Sequence, residues 1–105
     1  MGSTTKLDIK NMNSQQEKSN AQGPLSGIRI LDMATVIAGP FASTLCADLG
    51  ADVVKLELPT SNDPLRNFAP MKDEHSLYWK VTNRGKSGIT LDVRKPKGRE
   101  LLLKM

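Results

Sequence analysis

Between Ile28 and Leu58 the chain sets two short apolar runs on either side of a small-residue turn and an amphipathic stretch, and that order leaves few folds open. Residues 28–33 (IRILDM) read as a buried strand, a brief apolar run bounded by turn signals. Residues 34–39 (ATVIAG) form the turn. Pro40 suits the first turn of a helix, where its missing N–H is not needed. Phe41, Leu45 and Leu49 recur at four-residue spacing with Ala42 and Cys46 beside them, which predicts one apolar stripe. Gly50 is placed to end that helix in a left-handed conformation. Asp52 to Leu58 is the second strand, with Val54, Leu56 and Leu58 on one face and Val53, Lys55 and Glu57 on the other, and Pro59 stops it. Strand, helix and strand in this compass make a βαβ unit, so the strands are expected to be parallel and the crossover right-handed.

The rest of the chain carries weaker signals. Residues 59–75 are rich in Pro, Asn and Asp and read as one long loop, of the length that is functional or flexible in a domain. Residues 76–82 favour a short helix, and residues 83–86 a turn around Gly85. Gly88 to Arg94 alternates, with Ile89, Leu91 and Val93 opposite Thr90, Asp92 and Arg94, which predicts a half-exposed strand. Pro96 then opens a last helix whose Leu101, Leu102 and Leu103 begin an apolar face. An amphipathic helix without a cap is an unusual end for a domain, so residues 24–105 are expected to be the first part of a larger one. Residues 1–23 are polar, without an apolar signal core, and are expected to be a disordered tail.

Charge and composition narrow the function. The 105 residues carry a formal charge of +4, and it is concentrated. Eight basic side chains lie between His75 and Met105, opposed only by Asp92 and Glu100. Such a segment suits an anionic partner or a solvated face. Nucleic acid is not expected, because the basic part lacks interleaved aromatics beyond the adjacent Tyr78 and Trp79. No apolar run approaches the ~20 residues of a membrane span. Cys46 is the only cysteine, which rules out an internal disulfide, fits a reducing, cytoplasmic setting, and reads as a structural thiol. With one His and one Cys, metal-ligand spacing is missing. Gly85-Lys86-Ser87 lacks the upstream glycine of a phosphate-binding loop, and the first βα turn holds only Gly39. Asp48, near the C-terminal end of the first helix, opposes the helix dipole and is expected to have a cationic or N–H partner elsewhere.

Two segments together resemble a known family. PLSGIRILDMATVIAGPFASTLCADLGADVVKLELP, Pro24 to Pro59, is similar to the opening of class III coenzyme A transferases (the formyl-CoA and carnitine CoA-transferase type), with their L-D, A-G-P and D-L-G-A-D-V-(I/V)-K motifs. SLYWKVTNRGKSGITLDVRKPKGRELLL, Ser76 to Leu103, resembles a second stretch of the same family. The order and separation also agree.

The resemblance implies an α/β fold built on a Rossmann-like βαβ unit, in subunits that interlock as a dimer. It implies transfer of coenzyme A from an acyl-CoA donor to a small carboxylic acid through a covalent aspartyl intermediate, with no metal. The family's aspartate lies downstream and has no counterpart here, so a chain of these residues alone is expected to be inactive. By the same match, Val36, Ile37 and Ala38 lie against the pantetheine and thioester, and Leu91, Asp92, Val93 and Arg94 near the adenosine and its phosphates. Arg84 and Lys86 are further phosphate candidates. A turn of small residues before a helix N-terminus, and a guanidinium on a polar strand face, are chemically suited to those roles.

Departures from the pattern matter too. Leu58 stands where many members have a phosphate-touching Arg, and Ser87 and Gly88 weaken a usually basic turn. Ile37 replaces the Gln of the relative that transfers to oxalate, which argues against that acceptor. An α-methylacyl-CoA racemase of the same fold, which works by downstream acid/base groups, opens similarly. The Asn83 to Asp92 run is more like the transferases. A non-catalytic chain that binds coenzyme A or a partner subunit is the remaining alternative.

Overall fold

The computed structural model describes residues 23–105. The expected tail therefore lies, apart from Gly23, outside the described residues. Strand β1 (Arg29–Asp32) leads into helix α1 (Ala38–Asp48), which returns to strand β2 (Asp52–Glu57). The two strands are parallel, paired from Arg29↔Asp52 to Asp32↔Lys55, as the βαβ reading requires. Helix α1 closes with paired backbone bonds, Gly50 N–H to Ala47 O and Ala51 N–H to Cys46 O. Gly50 takes φ +100°, the left-handed conformation this closure needs.

The helix packs the other way round from its hydrophobic pattern. An apolar stripe ordinarily faces the core, yet Phe41, Leu45 and Leu49 remain 45–47% exposed. Pro40, Ser43 and Thr44 are buried instead. The cause is the sheet face beneath. Asp32 pairs with Lys55 across β1 and β2, so both project to one side of the sheet. A polar helix face meets a charged sheet face: Ser43 Oγ donates to Asp32 Oδ2 at 2.8 Å, and Thr44 Oγ1 donates to the carbonyls of Pro40 and Thr82.

The segment after β2 is built, not a bare loop. Asp63 caps a 3-10 helix, Pro64–Asn67, by accepting from Leu65 N–H, and Leu65 is fully buried. A small antiparallel hairpin follows, β3 (Met71–Lys72) with β4 (His75–Ser76). Asp73 and Glu74 form its tip with φ of +50° and +64°, the signature of a tight hairpin turn. Ser76 then caps α2 (Leu77–Thr82) by accepting from Trp79 N–H.

Strand β5 (Lys86–Thr90) pairs parallel to β2 on its other edge, which makes the sheet order β1-β2-β5. This corrects the expectation of a strand over 88–94. The alternation runs on past Thr90, but Asp92 turns the chain: its carboxylate accepts from Arg94 N–H and its carbonyl from Lys95 N–H. Leu91, Asp92, Val93 and Arg94 therefore form a turn beyond the strand. Helix α3 (Pro96–Leu103) opens at Pro96 and leaves Leu101 and Leu103 exposed. Its Gly98 touches that turn so closely that a Cβ there would lie 1.9 Å from the Asp92 carbonyl oxygen.

Candidate functional site

In a parallel sheet, the loops that leave the C-terminal strand ends gather at one edge. Here they are residues 33–37 after β1, 58–63 after β2 and 91–95 after β5. Between them lies a cavity of about 340 Å³, lined by Met33–Thr35, Leu56–Leu58, Ser61–Pro64 and Val93. Two of the sequence-predicted groups, Val36 to Ala38 and Leu91 to Arg94, thus come to the same edge. Val93 lines the cavity itself, while at the first turn it is lined by Met33, Ala34 and Thr35, the residues just before Val36.

The first turn is sharply defined. Val36 has φ +65°, left-handed backbone that a β-branched residue enters only under constraint, at a cost of about 1–3 kcal/mol. Gly39 lets the turn fold down on α1, because a Cβ there would lie 2.3 Å from Ala34 Cβ. Ala38 and Gly39 open the helix, and first-turn amides have no acceptor within it. Ile37 stands at the N-cap, 39% exposed.

Below this turn runs a chain of four buried charges of alternating sign. Lys86 Nζ lies 2.8 Å from Asp32 Oδ2, Asp32 Oδ2 lies 3.8 Å from Lys55 Nζ, and Lys55 Nζ lies 3.1 Å from Asp63 Oδ2. All four side chains are at most 3% exposed. Their remaining hydrogen bonds hold the turn. Ala34 N–H donates to Asp32 Oδ1, Lys55 Nζ donates to Ala34 O, and Val36 N–H donates to Asp63 Oδ1 at 2.9 Å. Burial pushes the Asp32 carboxyl up, but donors from Lys86, Ser43 and the Ala34 amide outweigh it and leave it below the usual value. Asp63 is likewise raised by burial and brought below its usual value by the Leu65 and Val36 amides and by Lys55. Burial lowers the Lys86 ammonium, against the pull of Asp32.

Lys86 does not fit the phosphate role expected of it. Its three N–H bonds donate inward to Asp32, the Pro40 carbonyl and Asn83 Oδ1, and its side chain is 2% exposed. Arg84 lies at the opposite, N-terminal end of β5, where it pairs with Asp48 at 2.6 Å. That pair supplies the partner the α1 dipole demanded for Asp48, and it separates Arg84 from the turns. Arg94 sits at the right edge. Its guanidinium donates to Asp92 and to Thr60 Oγ1 and remains 57% exposed. The side-chain bond to Asp92 raises the Arg94 pKa further.

Sequence reasoning missed Asp63, Lys55 and Asp32. Faint signals existed: an Asp before a Pro, which initiates turns, a lysine inside an apolar strand, and an aspartate closing another. A further cluster lies beside them. Glu57 accepts a forked pair of bonds from Arg66, whose guanidinium carbon stacks 3.8 Å from the Trp79 ring centroid. Among the described residues no group of three or more His, Cys, Asp or Glu could hold a metal ion, and no helix is long and apolar enough to cross a membrane.

A three-stranded parallel sheet built on a βαβ unit defines an α/β protein. Residues 25–105 match the profile of CoA-transferase family III, and the chain belongs to that family. A succinate–glutarate CoA-transferase of Agrobacterium fabrum is 41% identical over 93 residues, covering 82% of this chain and 23% of that protein. The beta subunit of a succinyl-CoA–L-malate CoA-transferase of Chloroflexus aurantiacus is 46% identical over 76 residues, covering 71% of this chain and 19% of that subunit. The crystal structure of a CaiB/BaiF family protein from Brucella suis superposes with TM-score 0.67 at 38% identity, over 76% of this chain and 22% of that one. The chain thus spans about a fifth of the length of the curated relatives it matches.

Proposed function

We propose that the full protein transfers coenzyme A from an acyl-CoA donor to a small carboxylic acid, and that residues 33–38 and 91–94 form part of its coenzyme A site. The observation that supports this reading is that the turns after β1 and β5 lie at the same end of the sheet, beside a cavity that Met33, Ala34 and Thr35 line from the first turn and Val93 from the second. The amides opening α1 suit an oxygen-rich ligand, and the exposed Arg94 guanidinium suits a phosphate. The covalent step, attack of a carboxylate on the thioester, belongs to an aspartate beyond Met105.

The relatives named for succinyl-CoA, glutarate and malate direct the assay. Full-length protein is incubated with succinyl-CoA and a panel of dicarboxylic acids, and new thioesters are separated by chromatography. Exchange into a four- or five-carbon diacid is expected, with oxalate a poorer acceptor because Ile37 offers it no polar group. Epimerisation of a 2-methylacyl-CoA without exchange would replace this reading with the racemase. The full protein is also proposed to be a homodimer. Some relatives are named as alpha and beta subunits, so a requirement for a second, different chain would overturn that part.

A further inference from the structure

Val36 poses a problem the sequence does not solve by itself. A valine at φ +65° should relax to a right-handed or extended backbone unless something outside the turn holds it. The holder comes from a distant part of the chain. Asp63 is fully buried, and its Oδ1 accepts from both Val36 N–H and Leu65 N–H. Its other oxygen faces Lys55, whose ammonium donates to the Ala34 carbonyl two residues before Val36. The turn is therefore gripped at Ala34 and Val36 by one ion pair, and Asp63 is fixed in turn by the 3-10 helix it caps.

We propose, on the coenzyme A reading of this turn, that Asp63 is a positioning residue: it holds the Val36 backbone left-handed and so aims the amides that open α1 at the ligand. The segment 59–67 is then an anchor for the ligand turn, and Lys55 ties the anchor to the sheet. Asp63 itself contributes no bond to the ligand, because both its oxygens are occupied by the turn, the 3-10 helix and Lys55.

Full-length wild type, Asp63→Ala and Asp63→Asn are compared by amide hydrogen exchange at Val36, by titration with coenzyme A and by melting temperature. Asparagine keeps a carbonyl oxygen for Val36 and Leu65; alanine keeps none. Both variants lose the charge opposite Lys55, so both should melt lower. Only Asp63→Ala should weaken coenzyme A by about tenfold, the worth of a well-placed hydrogen bond network, and only there should Val36 exchange accelerate strongly. Unchanged Val36 protection in Asp63→Ala overturns the assignment, whatever coenzyme A does. Equal weakening of coenzyme A in both variants, in step with melting temperature, overturns it as well, since that is the mark of a merely structural residue. A wild type that binds no coenzyme A, yet loses Val36 protection in Asp63→Ala, supports the positioning role and sinks the coenzyme reading instead. Should Asp63→Ala not fold, Asp63→Asn decides: the Val36 amide proton passes from a carboxylate to a neutral acceptor and must move upfield, and an unmoved resonance overturns the assignment.

Discussion

Lys86 Nζ sits 2.8 Å from Asp32 Oδ2, with both side chains 2% exposed, so two residues 54 positions apart share one desolvated ion pair under α1. Breaking such a pair from one side leaves an uncompensated buried charge. Asp32→Asn or Lys86→Met should each lower stability by about 3–5 kcal/mol, a large part of the ~5–15 kcal/mol that holds a folded protein together. Replacing both by apolar residues together should cost less than the sum, because neither charge is then stranded. Urea melts of the two single variants and the double variant measure the coupling. Additive losses would show that the pair acts as two separate groups.

Acid should unfold the protein through the same carboxylates. Asp32 and Asp63 lie below their ordinary 3.8, and Glu57, held by its bonds from Arg66, below 4.5. Groups depressed in the folded state bind fewer protons there than in the unfolded chain. Their stabilising contribution is complete above the unfolded values and fades as pH falls through the folded ones. Melting temperature should therefore drop steeply below about pH 4. Asp63→Asn should flatten that slope, and an unchanged slope would remove Asp63 from the account.

Arg94 and Arg84 separate a ligand role from a structural one. Arg94 stands at the edge with the βα turns, whereas Arg84 is paired with Asp48 at the other end of the sheet. In the full protein, Arg94→Ala should raise the KM for acyl-CoA about tenfold with a smaller change in kcat, the pattern of lost phosphate binding. Arg84→Ala should leave KM within about twofold. Equal effects from the two would contradict the placement of the site.

Gly98 offers a steric test of the third turn. A methyl at this position would lie 1.9 Å from the Asp92 carbonyl oxygen, so backbone must move. Gly98→Ala should cost about 1–3 kcal/mol, as overpacking does, and should weaken coenzyme A binding by displacing Asp92 and Arg94. Gly88→Ala, which meets nothing within 4 Å, is the control and should leave binding unchanged. Thermal melts and titration of both variants check the contrast.

Much of the fold was legible because local chemistry fixes it. Pro40 and Gly50 bracket α1 by backbone preferences of their own, and the two apolar runs, joined by that helix, became the parallel strands of a βαβ unit. The motifs in Pro24–Pro59 and Ser76–Leu103 pointed to the family by resemblance, which the match of residues 25–105 to CoA-transferase family III bears out. Where local pattern ran on past its element, the reading slipped: Ile89, Leu91 and Val93 alternate, but a second local signal, the Asp92 turn that accepts from the Arg94 and Lys95 amides, ends the strand at Thr90.

What remained hidden was decided at a distance. Phe41, Leu45 and Leu49 form an apolar stripe, yet the helix turns inward the face on which Ser43 donates to the buried Asp32 and Thr44 to the carbonyls of Pro40 and Thr82. Lys86 looked like a free cation until an aspartate 54 residues away claimed it. Asp63 looked like loop polarity until its carboxylate was found holding Val36. Sequence by itself determined the local elements and the family. Tertiary structure alone decided which charges are buried together, because the energy of a buried charge depends on what surrounds it and not on what precedes it in the chain.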